Sequence, residues 1–97
     1  MMNDTAIRNT LTLNLVYLAR LREAFGSAGE QMSLPLITEV ATVNDVLAVL
    51  ASRGGAFATE LATGRAVRVA VNHTLVSREA RVQHGDEVAL LPPVTGG

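Results

Sequence analysis

Apolar and polar positions along the chain change period several times, and each change predicts an element. Leu11, Leu13, Leu15 and Tyr17 alternate with Thr12, Asn14, Val16 and Leu18, the period-two signature of a strand. Its second half is apolar on both faces, which predicts a central position in a sheet. Leu18, Leu21 and Phe25 then fall at helical spacing before Gly26, so a helix of one to two turns should end there on a left-handed glycine. Gly26 to Gln31 reads as a loop. Leu34, Leu36 and Thr38 resume the alternation around Pro35, and proline, lacking an N–H for the ladder, predicts an edge strand.

Thr42 opens the clearest helix signal. Its hydroxyl can cap the amide of Asp45 while the Asp45 carboxylate reaches back to the Thr42 amide, and an acid in the first turn suits the helix dipole. Val43, Val46, Leu47 and Leu50 follow as one apolar stripe, and Arg53, Gly54 and Gly55 close the helix after about three turns. Phe57 and Leu61, four apart, suggest a further short helical turn before Thr63 and Gly64. Val67, Val69 and Val71 then alternate up to Asn72-His73, after which Thr74, Leu75 and Val76 continue. That pattern predicts a tight hairpin, since asparagine tolerates the positive φ such turns require. A turn at Gly85-Asp86 launches Val88, Ala89, Leu90 and Leu91 as an interior strand, which Pro92-Pro93 ends. The order predicts an α+β domain, a mixed sheet with one principal helix on one face. Residues 1–10 read as a loose N-terminal arm, 11–91 as the domain and 92–97 as an extended C-terminal tail.

Composition narrows the chemistry. Ninety-seven residues, 48% hydrophobic and 18% charged, describe one domain with enough apolar content for a core. With no cysteine, disulfides, thiolate metal sites and cysteine nucleophiles are excluded together. A net charge of -1 and 3% aromatic residues argue against nucleic acid as a partner, which normally requires a basic surface and stacking platforms. The longest uninterrupted apolar run, Val46 to Ala51, is far too short for a membrane span, and no signal peptide is read at the N-terminus. A cytoplasmic protein is expected. All eight cationic residues are arginine, so a phosphate-binding P-loop and a Schiff-base lysine are both excluded. His73 and His84 read as solvated turn residues, and Glu23, Glu39, Glu60 and Glu79 as scattered surface charges. No metal site is expected.

The end of the chain is different in kind. Pro92 and Pro93 hold it extended and take it off the sheet, Val94 and Thr95 continue it, and Gly96 and Gly97 finish it without side chains. Six residues from Pro92 reach about 20 Å, enough to thread a narrow channel in a partner. A terminal carboxylate is a poor electrophile at neutral pH, so activation has to come from outside. Adenylation by ATP would give an anhydride that a persulfide sulfur could open, leaving a thiocarboxylate. The chain contains no lysine or cysteine that could capture such an activated acyl group internally.

Three blocks carry a resemblance: Leu18-Ala19-Arg20-Leu21-Arg22-Glu23 with Phe25-Gly26, Val69-Ala70-Val71-Asn72-His73-Thr74-Leu75-Val76, and Gly85-Asp86-Glu87-Val88-Ala89-Leu90-Leu91-Pro92-Pro93-Val94-Thr95-Gly96-Gly97. Across residues 11–97 the chain resembles the small-subunit family of molybdopterin synthase, ubiquitin-like β-grasp sulfur carriers. The resemblance implies a β-grasp fold and a Gly97 that is adenylated by an ATP-dependent activating enzyme and then sulfurated from a persulfide donor. It implies a tail, Pro92 to Gly97, that inserts into a large synthase subunit holding the catalytic side chains, where sulfur passes to cyclic pyranopterin monophosphate. No cofactor would be bound by this chain. Leu91, Leu75 and Arg22 are the candidate partner contacts, with an ion pair to Glu23 or a neighbour as the plainer reading of Arg22. Two positions depart from the family: His73 stands where an amide residue is common, and Leu91 where a bulky aromatic often precedes the double proline. Two other readings remain open, a β-grasp carrier serving thiazole, tRNA or cysteine synthesis, and an interaction module with an inert tail.

Overall fold

A computed structural model describes residues 10–36, 40–62 and 66–93. The alternation after Thr10 forms strand β1 (Thr10–Tyr17), with Leu13, Leu15 and Tyr17 buried. Thr10, assigned to the arm on sequence, is the first residue of this strand; the arm's other residues, 1–9, lie outside the described residues. Helix α1 (Arg20–Phe25) follows and ends on Gly26 at φ 70°, the left-handed cap expected there. Strand β2 (Gly29–Pro35) runs antiparallel to β1, Val16 opposite Gly29 and Thr10 opposite Pro35. The strand thus takes in the last three residues of the stretch read as a loop, because Gly29 to Gln31 carry no apolar alternation of their own and are held by pairing with β1. Leu36 lies beyond its end and Thr38 outside the described residues.

Strand β3 (Ala41–Thr42) leads into the principal helix α2 (Val43–Ala51), about two and a half turns and slightly shorter than expected. The capping box forms: the Thr42 amide donates to Asp45 Oδ2 at 2.8 Å. Val43, Val46, Leu47 and Leu50 are all buried, so the predicted stripe is the face that covers the sheet. A left-handed Gly54 turns the chain into the short helix α3 (Gly55–Glu60). Thr63 and Gly64 fall outside the described residues.

Strands β4 (Arg68–Val71) and β5 (Thr74–Val76) form the predicted hairpin, with Asn72 at φ 49° and His73 at φ 74°. Two consecutive positive φ values are the requirement of a type I′ turn. Strand β6 (Arg81–Val82) pairs with β3 in a small second sheet, and β7 (Glu87–Leu91) completes the main one. The main sheet has the order β2-β1-β7-β4-β5. β7 is parallel to β1 and antiparallel to β4, so the sheet is mixed; β1 is interior and β2 an edge, as expected. Neither β3 nor β6 was anticipated, since two residues carry no periodicity. The core joins Leu13, Leu15, Tyr17, Met32, Leu34, Val69, Val88 and Leu90 of the sheet to the buried stripe of α2.

The chain's three aromatic residues form one cluster at the end of the core. Phe25 stacks on Phe57 at 4.2 Å, and Tyr17 meets the Phe25 edge at 4.9 Å. The Tyr17 hydroxyl donates to Glu30 Oε2 at 2.6 Å, and Arg53 donates to both Glu30 oxygens at 2.7 and 3.0 Å while lying over the Phe57 ring. Burial, reinforced by the Glu30 carboxylate, pushes the Tyr17 phenol well above its usual range. Hydrogen bonds from Arg53 hold the Glu30 carboxyl below its usual range despite partial burial.

Candidate functional site

Strand β7 delivers the tail from the middle of the sheet. Leu90 is fully buried, Leu91 half-buried, and Pro92 and Pro93 follow it, half-buried and outside the ladder. The sequence explains the stop, because a proline cannot donate to either neighbouring strand. Val94, Thr95, Gly96 and Gly97, four of the six predicted tail residues, lie outside the described residues.

Around this root the face of the sheet away from α2 presents a continuous apolar row. The ladder aligns Gly29 with Val16, Val16 with Ala89, Ala89 with Ala70, and Ala70 with Leu75. Period-two alternation puts all five on one face, opposite the buried Leu15, Val88 and Val69. No charged side chain interrupts the row, and it ends on Leu75, 56% exposed and the most exposed large apolar residue among those described. The next register position toward the tail pairs Arg68 with Leu91. Leu18 lies beside it, its amide donating to the Leu90 carbonyl at 3.1 Å and its side chain 38% exposed. Leu75 and Leu91 are therefore on the same face, two strands apart.

Arg22 is exposed on α1, and no described carboxylate lies within ion-pair distance of it. The plainer reading, a pair with Glu23 or a neighbour, is thus not what the described residues show. The tail root also contains a strained residue that sequence reasoning missed. Ala19 joins β1 to α1 at φ 52° and ψ -130°, the first central position of a type II′ turn closed by the Leu21 amide on the Leu18 carbonyl at 3.1 Å. Glycine is the residue that geometry favours, and no signal in the sequence betrays an alanine there.

One reading of a polar residue needs correction. Glu60 is not a solvated charge: its side chain is only 14% exposed and is ion-paired with Arg20, which ties α3 to α1. His84 is an exposed turn residue, as read, and its Nδ1 also accepts the Thr12 amide at 3.1 Å while the Gly85 amide donates to the Thr12 carbonyl. His73 remains 82% exposed, 3.4 Å from Glu87. Both histidines sit at the start of β7, the end of the strand opposite the tail. Glu39 lies outside the described residues.

The described residues bring no nucleophile, acid and base together, and they contain no group of three potential metal-ligating side chains. No helix among them is long and apolar enough to cross a membrane. What they build is a rigid sheet that emits a proline-stiffened segment beside an apolar face, the arrangement of a ubiquitin-like β-grasp protein.

The chain belongs to the ThiS family, whose profile matches residues 15–97. It is 39% identical to the molybdopterin synthase sulfur carrier subunit of Haemophilus influenzae over 85 residues, 88% of this chain and 99% of that protein. The Escherichia coli protein of the same name is 33% identical over the same shares. Among solved structures it is similar to the HVO 2177 protein of Haloferax volcanii, with a TM-score of 0.73 and 30% identity over 92% of this chain and 89% of that one. SAMP1 from Haloferax volcanii gives 0.66 and 26% over 89% and 99%.

Proposed function

We propose that this chain is the sulfur carrier subunit of a molybdopterin synthase. The observation that carries the reading is the near full-length similarity to two such subunits in a chain whose sequence ends Pro92-Pro93-Val94-Thr95-Gly96-Gly97. The chemistry belongs to the terminus. A carboxylate oxygen of Gly97 attacks the α-phosphorus of ATP on an activating enzyme, and pyrophosphate leaves. The outer sulfur of a persulfide then displaces AMP from the acyl carbon to give an acyl disulfide, and a second thiol attacks the donor's inner sulfur, releasing the thiocarboxylate and leaving a disulfide on the donor side. The large synthase subunit receives the tail and supplies the catalytic side chains that pass the sulfur to cyclic pyranopterin monophosphate, building the dithiolene of molybdopterin.

Each residue then has a physical task. Gly96 and Gly97 let a channel close on bare backbone. Pro92 and Pro93 set the exit direction, and Val94 and Thr95 carry the reach. Leu75, Leu91 and Arg22 meet the partner, for which the apolar row and the unpaired guanidinium are suited. This chain binds no cofactor of its own; ATP is the substrate of the activating enzyme. The reaction runs in the cytoplasm, where ATP and reduced sulfur donors are at hand.

The test is the intact mass after incubation with ATP, activating enzyme and persulfide donor. Exchange of one terminal oxygen for sulfur, followed by its loss when large subunit and pyranopterin are added, is the expected result. An unchanged mass, with the activating enzyme competent on a known carrier, would leave the double glycine without this chemistry. Gly96→Val should abolish the mass gain with the thermal unfolding midpoint unchanged, since a branched side chain does not fit a channel built for glycine.

A further inference from the structure

An activated acyl group is attacked by any good nucleophile within reach, and the side chains of this molecule include no amine and no thiol. Six residues separate Leu91 from the Gly97 acyl carbon, a chain length of at most about 20 Å. Inside that radius a lysine or cysteine would compete with the intended acceptor. The 97 residues contain neither. The position that most directly faces the root is Arg68, paired with Leu91 across the ladder and about 5 Å from it at Cα. Arg20 and Arg22 follow on α1, which begins two residues after Leu18, itself bonded to Leu90.

The remaining side chains offer no lasting trap. Tyr17 is 1% exposed and its hydroxyl is committed to Glu30. The histidines lie about 13 Å from the root at the far end of a five-residue strand, within the tail's reach, with His84 Nδ1 spent on the Thr12 amide and His73 beside Glu87; an acyl-imidazole formed on either stays activated and passes its acyl group on, unlike an amide. We infer that the arginine-only surface around the root is a specificity device, supplying positive charge while denying the activated Gly97 any side-chain amine. The inference rests on the carrier reading. A guanidinium keeps its charge and has no available lone pair at any physiological pH. A lysine with an ordinary pKa is uncharged in about one molecule in a thousand near pH 7.4. Tethered at an effective concentration in the millimolar range, that fraction is enough to capture an acyl adenylate.

The side reaction being prevented is fully specified. A neutral amine attacks the Gly97 carbonyl carbon, a C–N bond forms, and the C–O bond to AMP breaks with its electron pair leaving on the phosphate. The ammonium proton passes to water, and the chain becomes a cyclic amide lighter by one water. The same absence of lysine denies a second copy of this protein any side-chain amine on which to form an amide link.

The experiment introduces the missing amine by Arg68→Lys and, separately, by Arg20→Lys. Each full-length variant is incubated with ATP and activating enzyme, first without the persulfide donor, and pyrophosphate release and intact mass are followed. The wild type should release pyrophosphate and show no species lighter by one water. Arg68→Lys should release pyrophosphate at the wild-type rate and accumulate that species, with a peptide linking residues 68 and 97, and should lose at least half of its thiocarboxylate yield when donor is added. Normal pyrophosphate release with no cross-link in either variant would overturn the inference while leaving the carrier reading intact. No pyrophosphate release from the wild type would overturn both.

Discussion

Ala19 holds a backbone conformation, φ 52° and ψ -130°, that a side chain at Cβ disfavours and glycine adopts freely. A non-glycine residue in such a region costs on the order of 1–3 kcal/mol. Ala19→Gly relieves that strain and gives up nothing in packing, because the methyl group is exposed. Against it stands the greater freedom of glycine in the unfolded chain, about 0.4–1 kcal/mol. The balance is a net stabilisation of about 1 kcal/mol, which for a domain of this size raises the thermal midpoint by roughly 4–8 °C. Ala48→Gly is the control. It changes the same atoms at an exposed site inside α2, where glycine costs about 1 kcal/mol with no strain to relieve. Urea unfolding of the three proteins, compared at equal m-value, should therefore place Ala19→Gly and Ala48→Gly on opposite sides of the wild type, about 2 kcal/mol apart. Equal destabilisation by both would show that Ala19 is not strained, and the turn at the tail root would lose its account.

Gly29→Ala should destabilise by about 2 kcal/mol or more, because a Cβ there would lie 2.3 Å from the Leu15 carbonyl oxygen, a backbone atom that cannot yield without opening the β1–β2 ladder; a loss below 0.5 kcal/mol in urea unfolding would contradict the close approach. Glu30 has its folded-state pKa lowered, chiefly by Arg53, so the carboxylate's contribution is present above the unfolded value of about 4.3 and disappears as pH falls through the folded one. Glu30→Gln should accordingly flatten the acid limb of the stability profile, and, with Glu30 and Arg53 each about one-third exposed, cost only about 1 kcal/mol at pH 7; an acid limb identical to the wild type would refute it. Leu75→Asp should leave the unfolding midpoint within about 0.5 kcal/mol of the wild type, as expected of an exposed site. The same change should weaken binding to a large synthase subunit by on the order of ten- to a hundredfold, read by calorimetric titration.

Much of this fold is legible from the side chains alone, and the failures share one cause. Leu13, Leu15 and Tyr17 announce β1 because one face must be buried, and Thr42 with Asp45 announces α2 because its capping box is written in local sequence. β2 begins earlier than its own pattern suggests, since Gly29 and Glu30 are strand residues only through pairing with Val16 and Leu15. β3 and β6 exist through each other. Glu30 joins Tyr17 of β1 to Arg53 of the turn after α2, and His84 meets Thr12 across 72 positions. None of these has a short-range signature. The tail residues are conspicuous in sequence for the opposite reason: double proline and double glycine are local instructions to the backbone. The apolar row from Val16 to Leu75 lies between, since each of its residues is ordinary in its own strand and the row appears only when the registers are known.

The register also explains why the tail leaves from β7 and not from an edge. β2 and β5 each have one free side, and a segment pulled from either would peel one ladder at a time. β7 is bonded to β1 on one side and β4 on the other, and Leu90 is fully buried beneath it. A load applied through Pro92 and Pro93 therefore has to shear both ladders at once and drag Leu90 from the core. A partner that grips the tail or threads it through a channel can thus act on the terminus without unravelling the domain. The strained Ala19 turn belongs to this same anchorage, because it sets the position of Leu18, whose amide holds the last buried residue of β7 before the tail begins.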